Sequence, residues 1–447
     1  MSGAFDRSLT RRNILRGTAL AGLAVGGGGL LSACGSGSSG TPGAENESAG
    51  TVGTGGTVTW ASWANPGEAE RFKQISKEYE AKYQTKVTWQ LVVGDYMTKL
   101  LTQLAGGAAP DVFYVPDNGM AKLIESKTVV DLTEFVNKPD SPLKLSDTYE
   151  SLMNWVKPLD GDGIYGLLPD CNPLVFWFNK DLVAEAGLSK TPAEHFEAGT
   201  WTRDAADEFL TKMKTTGKRG MVLEAGAFSP MSSWITSLGG TAFDEDNKAV
   251  FNEDPKALET LEWLWEGMAA DKITFGGTLP KGQGIDALFY GQQLASCQMG
   301  RWILPNLRKL KFGYDIAPFP SADGKSFGPS LVAMAAVGVN SKAKDPEAAM
   351  WFATRFCNKD GQQARLSGGG NAVASVTGLD EIVTEGGPDH GSWFNDVAKA
   401  GYGIPLVIAS KPAVSANLAT EIDKSIKAGD SAKKFADKIA AYINSGG

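Results

Sequence analysis

The sequence predicts an α/β protein with room for more than one domain, and three observations carry that expectation. β-rich and helical stretches alternate from residue 57 onward, as strands joined by helical crossovers do. Asp111-Val112-Phe113-Tyr114-Val115 is a nearly continuous apolar run suited to a parallel strand covered on both faces. A length of 447 residues favours two or three domains and suffices for two sizeable cores.

In chain order, Thr57-Val58-Thr59-Trp60-Ala61 reads as a strand. A helix follows from about Pro66, with Ala69, Phe72, Ile75 and Tyr79 on one face. Asn65, Pro66 and Glu68 make a helix-start pattern, with a capping residue, proline at the first helical position and an acid three residues on. Lys86 to Val92 returns as a strand, and Met97, Leu100, Leu101 and Leu104 mark the next helix. Further on, the pattern predicts helices near 203–214, 255–270, 346–356, 414–428 and 432–443. Short strands are predicted near 174–178, 294–299 and 333–340. Asp244-Glu245-Asp246-Asn247 reads as a hairpin turn between two short apolar arms.

Composition excludes several classes. The chain is 42% hydrophobic and 21% charged, ordinary for a globular protein, and no apolar run after the N-terminus is long enough to span a bilayer. Net charge is -8; the first 33 residues carry four Arg and one Asp, so the remainder sits near -11. That balance argues against a nucleic-acid binder, which presents a basic face. Cys34, Cys171, Cys297 and Cys357 form no C-x-x-C pair, and one disulfide plus a thiol or three thiols fit the last three equally. His195 and His390 are the only histidines and neither sits in a ligand-spaced cluster, so no metal and no cofactor are expected. His195 is expected in an exposed loop after Pro192. Asp160-Gly161-Asp162-Gly163 has the start of a calcium loop but Cys171 stands where the twelfth-position acid belongs. Neither a Gly-x-Ser-x-Gly elbow nor a phosphate-cradling Gly-x-x-x-x-Gly-Lys loop occurs.

The N-terminus reads as an address. Thr10-Arg11-Arg12-Asn13-Ile14-Leu15-Arg16 resembles a twin-arginine export signal, ahead of a glycine-diluted apolar stretch from Gly17 to Leu31. Leu31-Ser32-Ala33-Cys34 looks like a lipobox, in which small residues admit a peptidase and the Cys34 thiol takes a diacylglyceryl group. One acyl chain binds a membrane only marginally, so stable anchoring requires two or more. Residues 1–33 are thus expected to be a signal peptide and 34–56 a lipidated cysteine with a flexible Gly/Ser-rich tether. The expected localisation is the outer face of the cell membrane.

Along nearly the whole remaining chain run Val58-Thr59-Trp60-Ala61-Ser62-Trp63, Leu104-Ala105-Gly106-Gly107-Ala108-Ala109-Pro110-Asp111-Val112, Ile164-Tyr165-Gly166-Leu167-Leu168-Pro169 and Phe178-Asn179-Lys180-Asp181-Leu182. Ser237-Leu238-Gly239-Gly240, Met299-Gly300-Arg301-Trp302 and Val339-Asn340-Ser341-Lys342 follow. In this order the residues resemble the extracellular solute-binding proteins of sugar importers, the group that includes the maltodextrin-binding proteins. The resemblance implies a two-lobed periplasmic-binding-protein type II fold with extra helices at the C-terminus. Lobe one would be 57–170 plus 312–367, and lobe two 171–311 plus 368–447. It further implies a monomeric receptor that captures a mono- or oligosaccharide between the lobes by hinge closure and hands it to ABC importer permease subunits, with no catalysis. A non-sugar solute (glycerophosphodiester, polyol or peptide) and a secreted carbohydrate-active enzyme stay open as alternatives.

A sugar ring has apolar C–H faces and an equator of hydroxyls, so its site needs aromatic faces and planar polar partners. Trp302 falls where the family's Gly-x-Trp motif places a stacking tryptophan, with Arg301 beside it. Ligands of open α/β sheets bind beyond the carboxyl ends of strands. That rule selects Trp63, Asn65 and Glu68 after the first strand, and Tyr114, Asp117 and Asn118 at the end of the third. Asn65 and Glu68 suit a capping box equally, and Asp117 and Asn118 a turn or a helix cap. The resemblance adds Asn172 at the first hinge crossing, with Asp170 as its neighbour, and Phe228 and Ser229 in lobe two. Asn371, after Gly368-Gly369-Gly370, lies near another crossing.

Overall fold

The computed structural model describes residues 53–64, 66–158, 161–224 and 226–447. The expectations that rest on the signal peptide, on Cys34, on most of the tether and on Asn65 lie outside the described residues. Among those described, eleven strands follow one another: β1 (Thr57–Ser62), β2 (Lys86–Leu91), β3 (Val112–Pro116), β4 (Asn172–Pro173), β5 (Val175–Asn179), β6 (Met221–Leu223), β7 (Ile273–Phe275), β8 (Ser296–Met299), β9 (Tyr314–Ala317), β10 (Val332–Ala333) and β11 (Ala335–Val339).

The first sheet has the order β11-β3-β1-β2, with β1 parallel to β2 and β3, and β11 antiparallel to β3. Val112, Phe113, Tyr114 and Val115 are all buried because β3 is an inner strand, which is what the unbroken apolar run predicted. β2 lies at the edge and exposes Lys86, Thr88 and Gln90, a polar face that discourages pairing with other chains. Asp111 fixes the register. Its buried carboxylate accepts from Thr59 N (2.8 Å), Thr59 Oγ1 (2.7 Å) and Lys344 N (2.8 Å). Two helices cover this sheet's parallel crossovers, α1 (Pro66–Tyr83) and α2 (Tyr96–Ala105), the latter capped by Asp95, whose side chain accepts from Thr98 N.

The second sheet, β8-β5-β9, is antiparallel and centred on β5, which is buried throughout. β9 corrects one expected boundary. The resemblance puts residues 314–317 in lobe one, yet they pair with Phe176 to Asn179 of β5, so this stretch belongs to the second sheet. Both sheets are joined by the ribbon β4–β10, in which Ala333 is opposite Asn172. β4 leads into the second sheet and β10 into the first. An isolated bridge between Cys171 and Val373 adds a third crossing segment at the same place. The architecture is two-lobed α/β. Buried side chains form one connected cluster through these crossings rather than two isolated cores.

The C-terminal helices Pro412–Lys427 and Ala432–Ser445 pack on each other and on the turn at 226–228. His195 is not in a loop: it is half-buried in the helix Pro192–Glu197, which Thr191 and Glu194 close with a capping box. Cys171, Cys297 and Cys357 are buried free thiols, and burial pushes each of them up from the ordinary cysteine value. No helix among the described residues is long and apolar enough to cross a membrane.

Candidate functional site

A groove of about 550 Å³ opens where the crossings meet the two sheets. Its first-sheet wall is Trp63, just beyond β1, with Glu68 in the first turn of α1 and Tyr114 on β3. Trp63 stands edge-on to Tyr96 (4.9 Å between ring centres) and to Tyr114 (5.2 Å), so packing fixes its ring. Tyr96 Oη in turn donates to Tyr114 O at 2.9 Å. Tyr114 is 4% exposed and its Oη has no partner among the described residues. Burial raises its phenol well above the ordinary value, so it stays a hydroxyl with a donor and an acceptor to offer.

The opposite wall comes from the helix Ile285–Tyr290 and the turn after β8. Asp286 and Tyr290 are four residues apart on that helix, and both line the groove with Trp302 and Asn306. Burial pushes the Tyr290 phenol up to about 12. Trp302 is 37% exposed, unusual for so large an apolar side chain, and its ring lies against Gly300. A Cβ on Gly300 would stand 2.2 Å from that ring and 2.7 Å from Asn172 Cβ, so the missing side chain is what lets the two groove residues come together.

At the floor, Asn172 leaves its Oδ1 without a partner among the described residues, and Ala333, Met334 and Ala335 supply apolar surface. Asp170 is held by Arg365 at 2.5 Å, and Arg365 also donates to Pro169 O. Asn371 Nδ2 donates to Glu68 Oε1 at 2.6 Å. The groove thus offers four aromatic faces and a set of polar atoms, two of them buried and unpaired. Such atoms cost about 1–3 kcal/mol each unless a ligand or water satisfies them. A second cavity of about 500 Å³, between the helices Arg203–Thr215 and Pro255–Ala269, is walled almost wholly by charged side chains, among them the pairs Arg203–Glu259 and Lys272–Asp207. It lies away from the crossings. Among the described residues no group of three or more His, Cys, Asp or Glu is placed to hold a metal ion.

The model of the bacterial extracellular solute-binding protein family matches residues 63–363. The chain belongs to this family. The galactooligosaccharide-binding protein of Bacillus subtilis (strain 168) is 21% identical over 266 residues, a match covering 58% of this chain and 59% of that protein. Two solved solute-binding proteins share the fold. An ABC substrate-binding protein from Listeria monocytogenes in complex with cycloalternan superposes with a TM-score of 0.73 at 22% identity, over 87% of this chain and 98% of its own. The cyclic alpha-maltosyl-1,6-maltose binding protein from Arthrobacter globiformis gives 0.68 at 19% identity, over 87% and 98%.

Within this solute-binding fold, the groove brings together Trp63, Glu68, Tyr114, Asn172, Trp302 and Asn371 of the residues singled out from sequence. Five others lie elsewhere. Arg301 does not face the groove: it is fully buried, and its guanidinium donates to the carbonyls of Gly370, Ala372, Val383 and Glu385. Phe228 is wholly buried too, stacked on Phe251 at 4.3 Å with its backbone in the left-handed region (φ 69°), and Ser229 is buried at the start of the next helix. Asp117 and Asn118 take the turn-forming role. Asp117 is half-buried outside the groove, its carboxyl pushed up to about 6 by burial, and exposed Asn118 accepts from Ser415 Oγ through its carbonyl.

Sequence reasoning missed Asp286, Tyr290, Asn306 and the β10–β11 floor. The paired spacings Asp286/Tyr290 and Trp302/Asn306, each one helical turn, were the available signal.

Proposed function

We propose that this chain is the substrate-binding component of an ABC-type importer, capturing a carbohydrate in the groove and releasing it to a membrane permease without transforming it. One observation carries the reading: aromatic faces from both sheets converge on unpaired Tyr114 Oη and Asn172 Oδ1 at the segments that join the sheets. Stacked rings and planar polar groups are what a sugar's two kinds of surface require. The saccharides named for the B. subtilis, L. monocytogenes and A. globiformis proteins support the same class. Among the alternatives, a glycerophosphodiester is disfavoured because no Lys, Arg or His lines the groove among the described residues.

Capture works by closure about the crossings at 171–173, 332–333 and 373. A ligand touching both walls binds the closed form better and shifts the population by that difference in affinity. Export through the twin-arginine pattern and lipidation of Cys34 would hold the receptor beside its permease.

Thermal-shift screening of the purified protein against sugars, polyols, glycerophosphodiesters and peptides tests the proposal. A ligand at a hundredfold excess over its Kd stabilises the folded state by about 2.7 kcal/mol, enough to move the melting temperature. Sugars alone should do so. A shift by another class replaces the ligand assignment, and turnover of any compound removes the receptor reading.

A further inference from the structure

We infer that the groove selects by charge, favouring a saccharide that carries a protonated amine near Asp286 and rejecting acidic sugars. This rests on the saccharide reading and adds the sign of the charge to it. Among the described residues, Glu68, Asp170 and Asp286 put three carboxylates on the lining, against no cationic side chain. They differ in what already occupies them. Asp170 is neutralised by Arg365 behind it, and Glu68 accepts the Asn371 amide. Asp286 stands four residues from Tyr290 and beside the groove aromatics, half-exposed, with its carboxylate in no hydrogen bond or ion pair among the described residues.

An ionised carboxylate only accepts hydrogen bonds, whereas an ammonium only donates them, and aromatic faces attract cations. An amine therefore matches this wall in hydrogen bonding, in charge and in its affinity for rings. A uronate or a sugar phosphate meets acceptors with more acceptors. The nearby guanidinium groups do not rescue an anion. Arg301 and Arg365 are buried behind the lining, with their terminal N–H groups directed at backbone carbonyls and Asp170. That the groove takes a ligand, and is not simply an acidic patch, is supported independently by Tyr114 on the facing wall, more than nine-tenths buried, with its Oη unpartnered among the described residues.

Isothermal titration calorimetry of the purified protein at about pH 6, where amines are protonated and uronic acids ionised, tests this with three matched series. These are neutral hexoses and their disaccharides, the 2-amino counterparts, and the uronic-acid counterparts. The amino member of a bound set should have a Kd about tenfold below its neutral parent, and the acid at least tenfold above. In Asp286→Asn, an isosteric change with an unaltered melting temperature, the amine-to-neutral ratio should fall towards one. An acid bound as tightly as its parent, or an amine advantage that survives in Asp286→Asn, overturns the inference while leaving the saccharide reading intact. Binding in none of the series overturns both.

Discussion

Asn371 and Glu68, 303 positions apart in sequence, meet at the groove through a 2.6 Å hydrogen bond from the Asn371 amide to the Glu68 carboxylate. Glu68 belongs to the first turn of α1, and Asn371 follows a glycine turn whose carbonyls are held by Arg71, Arg308 and Arg301. The contact therefore ties the first-sheet wall to the third crossing. A hydrogen bond to a charged acceptor contributes about 1.5–3 kcal/mol. Asn371→Ala is expected to raise the ligand Kd roughly tenfold or more in calorimetry, with a small change in melting temperature.

Trp302 should separate binding from folding. Its ring is partly exposed, so truncation removes little of the core, yet a stacked ligand loses a whole aromatic face. Trp302→Ala is expected to weaken binding by about 2 kcal/mol, near thirtyfold, while the melting temperature stays within a few degrees. Unchanged affinity would mean that the ligand occupies another part of the groove.

Gly300 makes a sharper case because its backbone is unstrained. Its φ of -78° suits any residue, so what the position requires is empty space. Gly300→Ala drives a methyl group into the Trp302 ring and Asn172 Cβ. Binding should fall at least as far as in Trp302→Ala, and near-ultraviolet circular dichroism should report a displaced indole.

Much of the fold was legible because its signals are local. The run at Val112–Val115 announces a strand covered on both faces, and the helix Arg203–Thr215 follows its apolar period within a residue of the expected end. β9 was not legible: four residues carry no period of their own and become a strand only by pairing with β5. The groove was half legible for the same reason. Arg301 and Trp302 are adjacent in one turn, and only the carbonyls of 370–385 decide that the arginine points inward and the tryptophan outward. Asp286 and Tyr290 sit on a six-residue helix too short for a periodic pattern to stand out.

His390 gives stability a pH dependence. Its ring stacks on Trp393 at 4.1 Å; Nδ1 pairs with the Asp315 carboxylate at 2.7 Å and Nε2 with Glu197 at 3.2 Å. Burial works to lower its pKa, but the hydrogen bond and charge of Asp315, joined by Glu197, outweigh it and the net shift is upward. The folded state therefore holds the proton more tightly than the unfolded chain does. This contribution is complete below the unfolded value near 6.5 and disappears as pH rises through the higher folded value. The melting temperature of the native protein should fall relative to that of His390→Gln between about pH 6 and 8. Parallel curves would show that the pairing is not sensed by folding.

Arg301 is expected to behave in the opposite way to Trp302, although the two are neighbours. Burial, reinforced by the positive charge of Arg308, lowers its guanidinium pKa to about 10, which still leaves it charged at neutral pH. That buried charge is tolerable because its N–H groups reach four carbonyls on two segments, 370–372 and 383–385. Arg301→Ala leaves those carbonyls facing a void and frees two segments from the turn that carries Trp302. Each buried carbonyl left unsatisfied costs about 1–3 kcal/mol, so the urea midpoint should drop markedly. Arg301→Lys keeps the charge but not the planar fork, and its midpoint should lie between the two. If Arg301→Ala instead kept the native midpoint and lost only ligand affinity, Arg301 would be a groove residue, as its place beside Trp302 in the sequence first implied.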